Sequence, residues 1–155
     1  MKFRVNSEDD TERLAQAFAH AVRGGDAIGL CGDLGAGKTT FVRYLVVALG
    51  GCSRDVSSPS YTLEHEYEVP DGGVIDHWDL YRISDLPDEL AEPPGASVVR
   101  LIEWPDRCAG LTPSLDLLIH FEVSESGERL VTIQGPRASA ANAVVKSRYG
   151  ANGSA

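Results

Sequence analysis

Residues Gly32-Asp33-Leu34-Gly35-Ala36-Gly37-Lys38-Thr39 fill every position of the pattern G-x-x-x-x-G-K-[ST]. A segment of this kind holds phosphate. Its glycines let the backbone turn tightly, so that successive N–H groups point at one anion. A helix expected to start at Lys38 adds the positive end of its dipole. Lys38 would reach the β- and γ-phosphates of a nucleoside triphosphate, expected to be ATP, and the Thr39 hydroxyl would ligate Mg2+.

Magnesium needs oxygen ligands beyond that hydroxyl and the phosphates. In open α/β sheets, ligands bind at the carboxyl ends of the strands, and two acids stand at such ends. Glu103 closes the apolar run Val98–Ile102, and Asp79 closes Val74–Trp78. Each adjoins a tryptophan, Trp104 or Trp78, expected to border the site. Lys38, Asp79 and Glu103 are the expected catalytic residues; Thr39, Glu103 and Asp79 are the expected metal ligands. Asp76 competes with Asp79 from the opposite face of the same strand. His77 either transfers a proton, orients the acid or fills a half-buried site. Ser57-Ser58-Pro59-Ser60-Tyr61 either meets the γ-phosphate as a switch segment or is an ordinary turn fixed by Pro59.

The elements needed to position these groups can be read in order. Ser7 can cap a helix, with Asp10 as a capping-box partner, and Leu14, Ala17, Phe18, Ala21 and Val22 recur at helical spacing. Ala27–Cys31 suits a buried strand, and Lys38–Leu49 a helix ended by Gly50-Gly51. Tyr61–Val69 and Val74–Tyr81 form a candidate hairpin. Ser84–Leu90 is a short helix candidate and Val98–Glu103 a strand interrupted by Arg100. Leu115–Val123 and Arg129–Gln134 form a second candidate hairpin. The expected fold is α/β, with a mixed sheet that is parallel in its centre and antiparallel at its edges, flanked by helices.

The chain has 155 residues, 43% hydrophobic and 24% charged, which suits one globular domain over residues 1–134. Residues 135–155 carry Arg137, Lys146 and Arg148 without an acid and read as a basic tail, flexible or holding a short helix near Ala138–Arg148. The net charge of −9 and the near absence of lysine (Lys2, Lys38 and Lys146) argue against direct nucleic-acid binding. No apolar run of about 18 residues exists to span a membrane, and the polar, acidic N-terminus is not a secretory signal. Cys31, Cys52 and Cys108 lack metal-site spacing and read as reduced thiols, so the expected location is cytoplasmic.

Four blocks, in this order, resemble the TsaE (YjeE) family of bacterial ATPases of threonylcarbamoyladenosine tRNA modification. They are Gly32–Phe41, Ser58-Pro59-Ser60-Tyr61-Thr62-Leu63, His77-Trp78-Asp79-Leu80-Tyr81-Arg82 and Ile102-Glu103-Trp104-Pro105. The resemblance covers roughly residues 5–134. It implies that Thr39 and Glu103 bind Mg2+, that Asp79 serves the triphosphate and its hydrolysis, and that Thr40 helps at the loop. It further implies that Trp104 joins the nucleotide site with Glu103, and that Glu8, Thr11, Asp106 and Arg129 approach the nucleotide. The implied partners are the TsaD and TsaB proteins, whose cycle ATP hydrolysis would sustain. Two departures stand out. Ser60 occupies a position where the family usually has Thr, and Glu92-Pro93-Pro94-Gly95 replaces a longer helical passage within Glu89–Ser97.

The alternative reading is a small nucleoside or metabolite kinase, which would use the same loop to pass the γ-phosphate to a second substrate. Such enzymes commonly carry an arginine-rich lid, whereas the arginines here are dispersed. A GTP-dependent switch would carry N-K-x-D to read guanine, and no lysine here follows an Asn.

Overall fold

The computed structural model describes residues 1–52, 54, 56 and 63–150. Seven strands form one sheet: β1 (Lys2–Val5), β2 (Ala27–Cys31), β3 (Glu64–Glu68), β4 (Val74–Asp79), β5 (Val98–Glu103), β6 (Leu117–Val123) and β7 (Arg129–Gln134). Their spatial order is β1-β7-β6-β2-β5-β4-β3. β2 runs parallel to both β5 and β6, and β4 runs parallel to β5. The pairs β3–β4, β6–β7 and β1–β7 are antiparallel. This is the mixed α/β sheet expected from the alternation of apolar runs.

Three helices, α1 (Glu8–Ala19), α2 (Lys38–Ala48) and α4 (Ala138–Tyr149), cover one face. Phe18, Phe41 and Phe121 meet there at centroid distances of 5.8 and 5.5 Å. Ser7 caps α1 by accepting from the Asp10 N–H at 3.1 Å. Asp10 returns the contact one residue early, accepting from the Asn6 N–H at 3.0 Å. The opposite face packs Trp78 and Ile102 against Leu80, Leu90, Leu111 and Leu115, which belong mostly to irregular chain. Helix α3 (Asp88–Ala91) is shorter than the expected Ser84–Leu90. Pro87 explains this, because its ring disfavours a helical residue before it.

Two stretches differ more from expectation. Residues 1–10 are not simply a polar lead-in: Phe3 and Val5 alternate inward and make β1 an edge strand. Residues 138–149, expected to fray or to form a short helix, form α4 and pack onto α1 and β7. Ala141, Val145 and Tyr149 recur every four residues and give α4 a buried stripe. The Tyr149 hydroxyl donates to the Arg4 carbonyl at 2.6 Å. Arg137 leads into this helix, paired with buried Asp26 and donating to the Ala21 carbonyl at 2.9 Å. Among the described residues, no helix is long and apolar enough to cross a membrane.

Arg100, the polar interruption of β5, meets Asp76 of the neighbouring strand. Its Nε donates to Asp76 Oδ2 at 2.9 Å, and another guanidinium nitrogen donates to the Glu92 carbonyl at 2.7 Å. Both residues are buried on the face away from α2. Burial, with the Asp76 carboxyl beside it, pushes the Glu64 carboxyl up to about 7.

Candidate functional site

Register puts the chemistry in one place. Leu30 of β2 pairs with Glu103 of β5, and Glu103 pairs with Asp79 of β4, so three parallel strands end at the same level. Neighbouring strands lie about 4.8 Å apart, so the two acids and the start of the phosphate loop converge along one edge. The loop leaves β2 at Gly32, whose φ of 147° belongs to glycine; a Cβ there would stand 2.6 Å from the Phe121 carbonyl of β6. The loop ends at Gly37, left-handed at φ 106°, which caps α2 without a side chain and leaves the first helical N–H groups facing the cleft.

The cleft holds about 260 Å³. Its floor is Leu34, Gly35, Gly37, Lys38, Thr39 and Thr40. Asp79 and Tyr81 rise from the end of β4, Glu103 and Trp104 from the end of β5, and Arg129 comes from β7. Lys38 is buried and folded back, donating to the Gly32 carbonyl and, at 2.9 Å, to the Asp33 carbonyl. Burial pulls its ammonium below the usual lysine value, while the carboxylates of Glu103, Asp79 and Asp33 pull the other way. Ala36 is buried behind the loop.

The Thr39 hydroxyl donates to Glu103 Oε1 at 3.2 Å. The other carboxylate oxygen of Glu103 lies 2.7 Å from His77 Nε2, and His77 Nδ1 lies 3.0 Å from the Tyr67 hydroxyl. His77 thus orients an acid, and that acid is Glu103. Asp79 Oδ1 accepts from the Tyr81 N–H at 2.9 Å. Asp76, engaged with Arg100 on the other face, stays out of the cleft. The hydroxyl of Thr39 and the carboxylate of Glu103 are hard oxygen donors in contact at the cleft, which fits a magnesium ion completed by phosphate oxygens and water.

The two tryptophans part company. Trp104 lines the cleft because the chain turns sharply after β5: its φ is 59°, and its N–H donates to the Leu30 carbonyl at 3.1 Å. Trp78 does not border the site. Side chains alternate along β4, so the residue before Asp79 points to the opposite face, into the core with Leu80 and Leu90.

Of the remaining expected residues, Thr11 lines a small cavity behind the loop, shared with Gly37, Phe41 and Arg129. Glu8 accepts from the Tyr44 hydroxyl at 2.6 Å, and Asp106 accepts from the Cys31 thiol at 3.9 Å; both lie outside the cleft walls. Burial and Asp106 push the Cys31 thiol up to about 11, so it stays protonated at neutral pH. Residues Ser57–Tyr61, the expected switch or turn, lie outside the described residues. Tyr81 and Arg107 were not among the expected site residues. Tyr81 walls the cleft 5.0 Å from the Trp104 ring, and the Arg107 guanidinium lies 4.8 Å from Tyr81 and 5.3 Å from Trp104. The clue available was their spacing, Tyr81 two residues beyond Asp79 and Arg107 three beyond Trp104.

Comparison with known proteins agrees with the resemblance. The family model described as "Threonylcarbamoyl adenosine biosynthesis protein TsaE" matches residues 5–131. The tRNA threonylcarbamoyladenosine biosynthesis protein TsaE of Aquifex aeolicus is 38% identical over 130 residues, spanning 83% of this chain and 92% of its own. The protein of that name from Bacillus subtilis is 34% identical over 136 residues, spanning 85% and 84%. The crystal structure of YdiB from Bacillus subtilis is similar with a TM-score of 0.68 and 27% identity, over 94% of this chain and 93% of that one. With the family model matching residues 5–131 and relatives 34–38% identical over most of both chains, this chain belongs to the TsaE family.

Proposed function

We propose that this chain binds ATP with Mg2+ in the cleft and hydrolyses it, as the nucleotide-driven subunit of tRNA threonylcarbamoyladenosine biosynthesis in the cytoplasm. One observation carries the reading: the Thr39 hydroxyl and the Glu103 carboxylate meet at 3.2 Å at the carboxyl edge of the sheet, beside a complete phosphate loop.

Loop N–H groups and the start of α2 bind the phosphates. Lys38 exchanges its carbonyl partners for phosphate oxygens, and Arg129 adds positive charge from the cleft's other wall. Magnesium, held by Thr39 and Glu103 with Asp79 nearby, would offset charge on the β- and γ-phosphate oxygens. Asp79, steadied by the Tyr81 N–H, orients a water. The water oxygen bonds to the γ-phosphorus as the bond to the β–γ bridging oxygen breaks; one water proton stays on the phosphate formed, the other passes to solvent, and ADP and phosphate leave.

Positioning is only part of this catalysis, since an oriented water and an arginine in cis or trans commonly supply about 10³–10⁵ in rate. The isolated chain is therefore expected to turn over slowly, with the TsaD and TsaB proteins as the partners that complete the site. A net charge of −9 disfavours gripping tRNA directly. The test is steady-state ATPase of the pure protein, then with the TsaD–TsaB pair from the same organism, with GTP as competitor. Stimulation by the pair supports the reading. Turnover of about tens per second without the pair, in the range of kinases, would favour the metabolite-kinase alternative instead.

A further inference from the structure

Tyr67, His77, Glu103 and Thr39 form one chain of hydrogen bonds across β3, β4, β5 and α2. Tyr67 is 3% exposed and His77 0%, so the two groups behind Glu103 are shut off from bulk solvent. A carboxylate only accepts, so His77 Nε2 carries the hydrogen that faces Glu103. Nδ1, on the far side of the ring, faces the Tyr67 hydroxyl at 3.0 Å. The carboxylate thus fixes which ring nitrogen faces it, the tyrosine anchors the ring from its far side, and the ring holds one Glu103 oxygen so that the other faces Thr39.

We propose that His77, held by Tyr67, is a positioning residue that aims Glu103 Oε1 at the magnesium position beside Thr39. The inference rests on the reading that the cleft takes Mg-ATP. Neither side chain lines the cleft. Their effect is to remove the rotational freedom of a glutamate whose carboxylate would otherwise swing on two methylene carbons. Partners of this kind also fix which lone pairs are presented to a metal, and their loss typically weakens metal binding on the order of 10–100-fold.

The experiment is calorimetric binding of ADP and of a non-hydrolysable ATP analogue to the full chain, in EDTA and across a Mg2+ titration. His77→Leu should raise the Mg2+ concentration for half-saturation on the order of tenfold or more. It should leave ADP affinity in EDTA within about twofold, because the phosphate loop does not touch the ring. His77→Gln, which keeps an N–H donor near the same place, should recover most of the loss. Tyr67→Phe should raise the half-saturation a few-fold. A purely structural role would lower the melting temperature and the EDTA affinity together and leave no separate Mg2+ effect. An unchanged half-saturation in folded His77→Leu, or a His77→Gln protein as impaired as His77→Leu, overturns the proposal. An unchanged half-saturation in Tyr67→Phe removes the tyrosine's part. If His77→Leu does not fold, His77→Phe, which keeps the bulk of a ring without a nitrogen donor, decides in its place. Failure of the Mg-ATP reading looks different: the unmodified chain would then show no Mg2+-dependent nucleotide binding at all.

Discussion

The ammonium nitrogen of Lys38 lies 4.2 Å from the centre of the Trp104 ring. The cation is held between two loop carbonyls and an indole face, a contact worth about 0.5–2 kcal/mol depending on solvation. A triphosphate that draws Lys38 onto its oxygens changes the field at that indole. Intrinsic fluorescence should therefore respond to Mg-ATP through Trp104 alone of the two tryptophans. Trp104→Phe should abolish most of the response and Trp78→Phe should preserve it; the reverse pattern would contradict the site's geometry.

Removing the ammonium should be severe. Lys38 can supply about two charge-assisted hydrogen bonds, worth roughly 1.5–3 kcal/mol each. At about 1.4 kcal/mol per tenfold, Lys38→Ala should weaken ATP binding on the order of a hundredfold or more. Calorimetry on the folded variant checks this, and unchanged affinity would remove the phosphate-loop assignment.

The three acids should separate by face. Asp79→Asn and Glu103→Gln should keep the fold and lose Mg2+-dependent hydrolysis. Asp76→Asn should do the opposite, because it leaves the buried Arg100 guanidinium without its countercharge, at a cost of about 3–5 kcal/mol. Its melting temperature should fall while the folded fraction remains active. An inactive but fully stable Asp76→Asn protein would show the wrong acid assigned to the cleft.

Glu64 gives a pH signature. Its carboxyl titrates near 7 in the folded chain, above the 4.5 of an unperturbed glutamate, so the folded state holds the proton more tightly than the unfolded one. The associated stability is present in full below about 4.5 and is lost as pH rises to about 7. Glu64→Gln should therefore melt close to the parent at pH 4.5 and above it at pH 8. Melting curves of the two proteins at several pH values check the divergence; parallel curves would show that Glu64 is not held in this way.

How much of this could be read from the chain depends on how local each signal is. The phosphate loop is a contiguous pattern, and β2, β4 and β5 are apolar runs ended by a glycine or an acid, so the loop, Asp79 and Glu103 were legible together. Strand β1 was not: it has two inward residues, and its partner β7 lies at the other end of the sequence. Helix α4 was half-hidden because its stripe is Ala141, Val145 and Tyr149 amid small polar residues. Tyr67 enters through diagonal pairing across β3 and β4, which no single segment announces. Placing Trp78 in the site was a misjudged face, since strand alternation already sets it against Asp79.

The central position of β2 also fixes when the protein can first work. Its two sheet neighbours, β5 and β6, are both made after it, and the partner of β1 emerges later still. A ribosome that has completed the phosphate loop has made neither the strand bearing Asp79 nor the one bearing Glu103. Pairings this distant in sequence form slowly. On the proposed reading, a nascent chain would carry a lysine-bearing loop with neither Asp79 nor Glu103 opposite it, and nucleotide capture would be a property of the finished sheet.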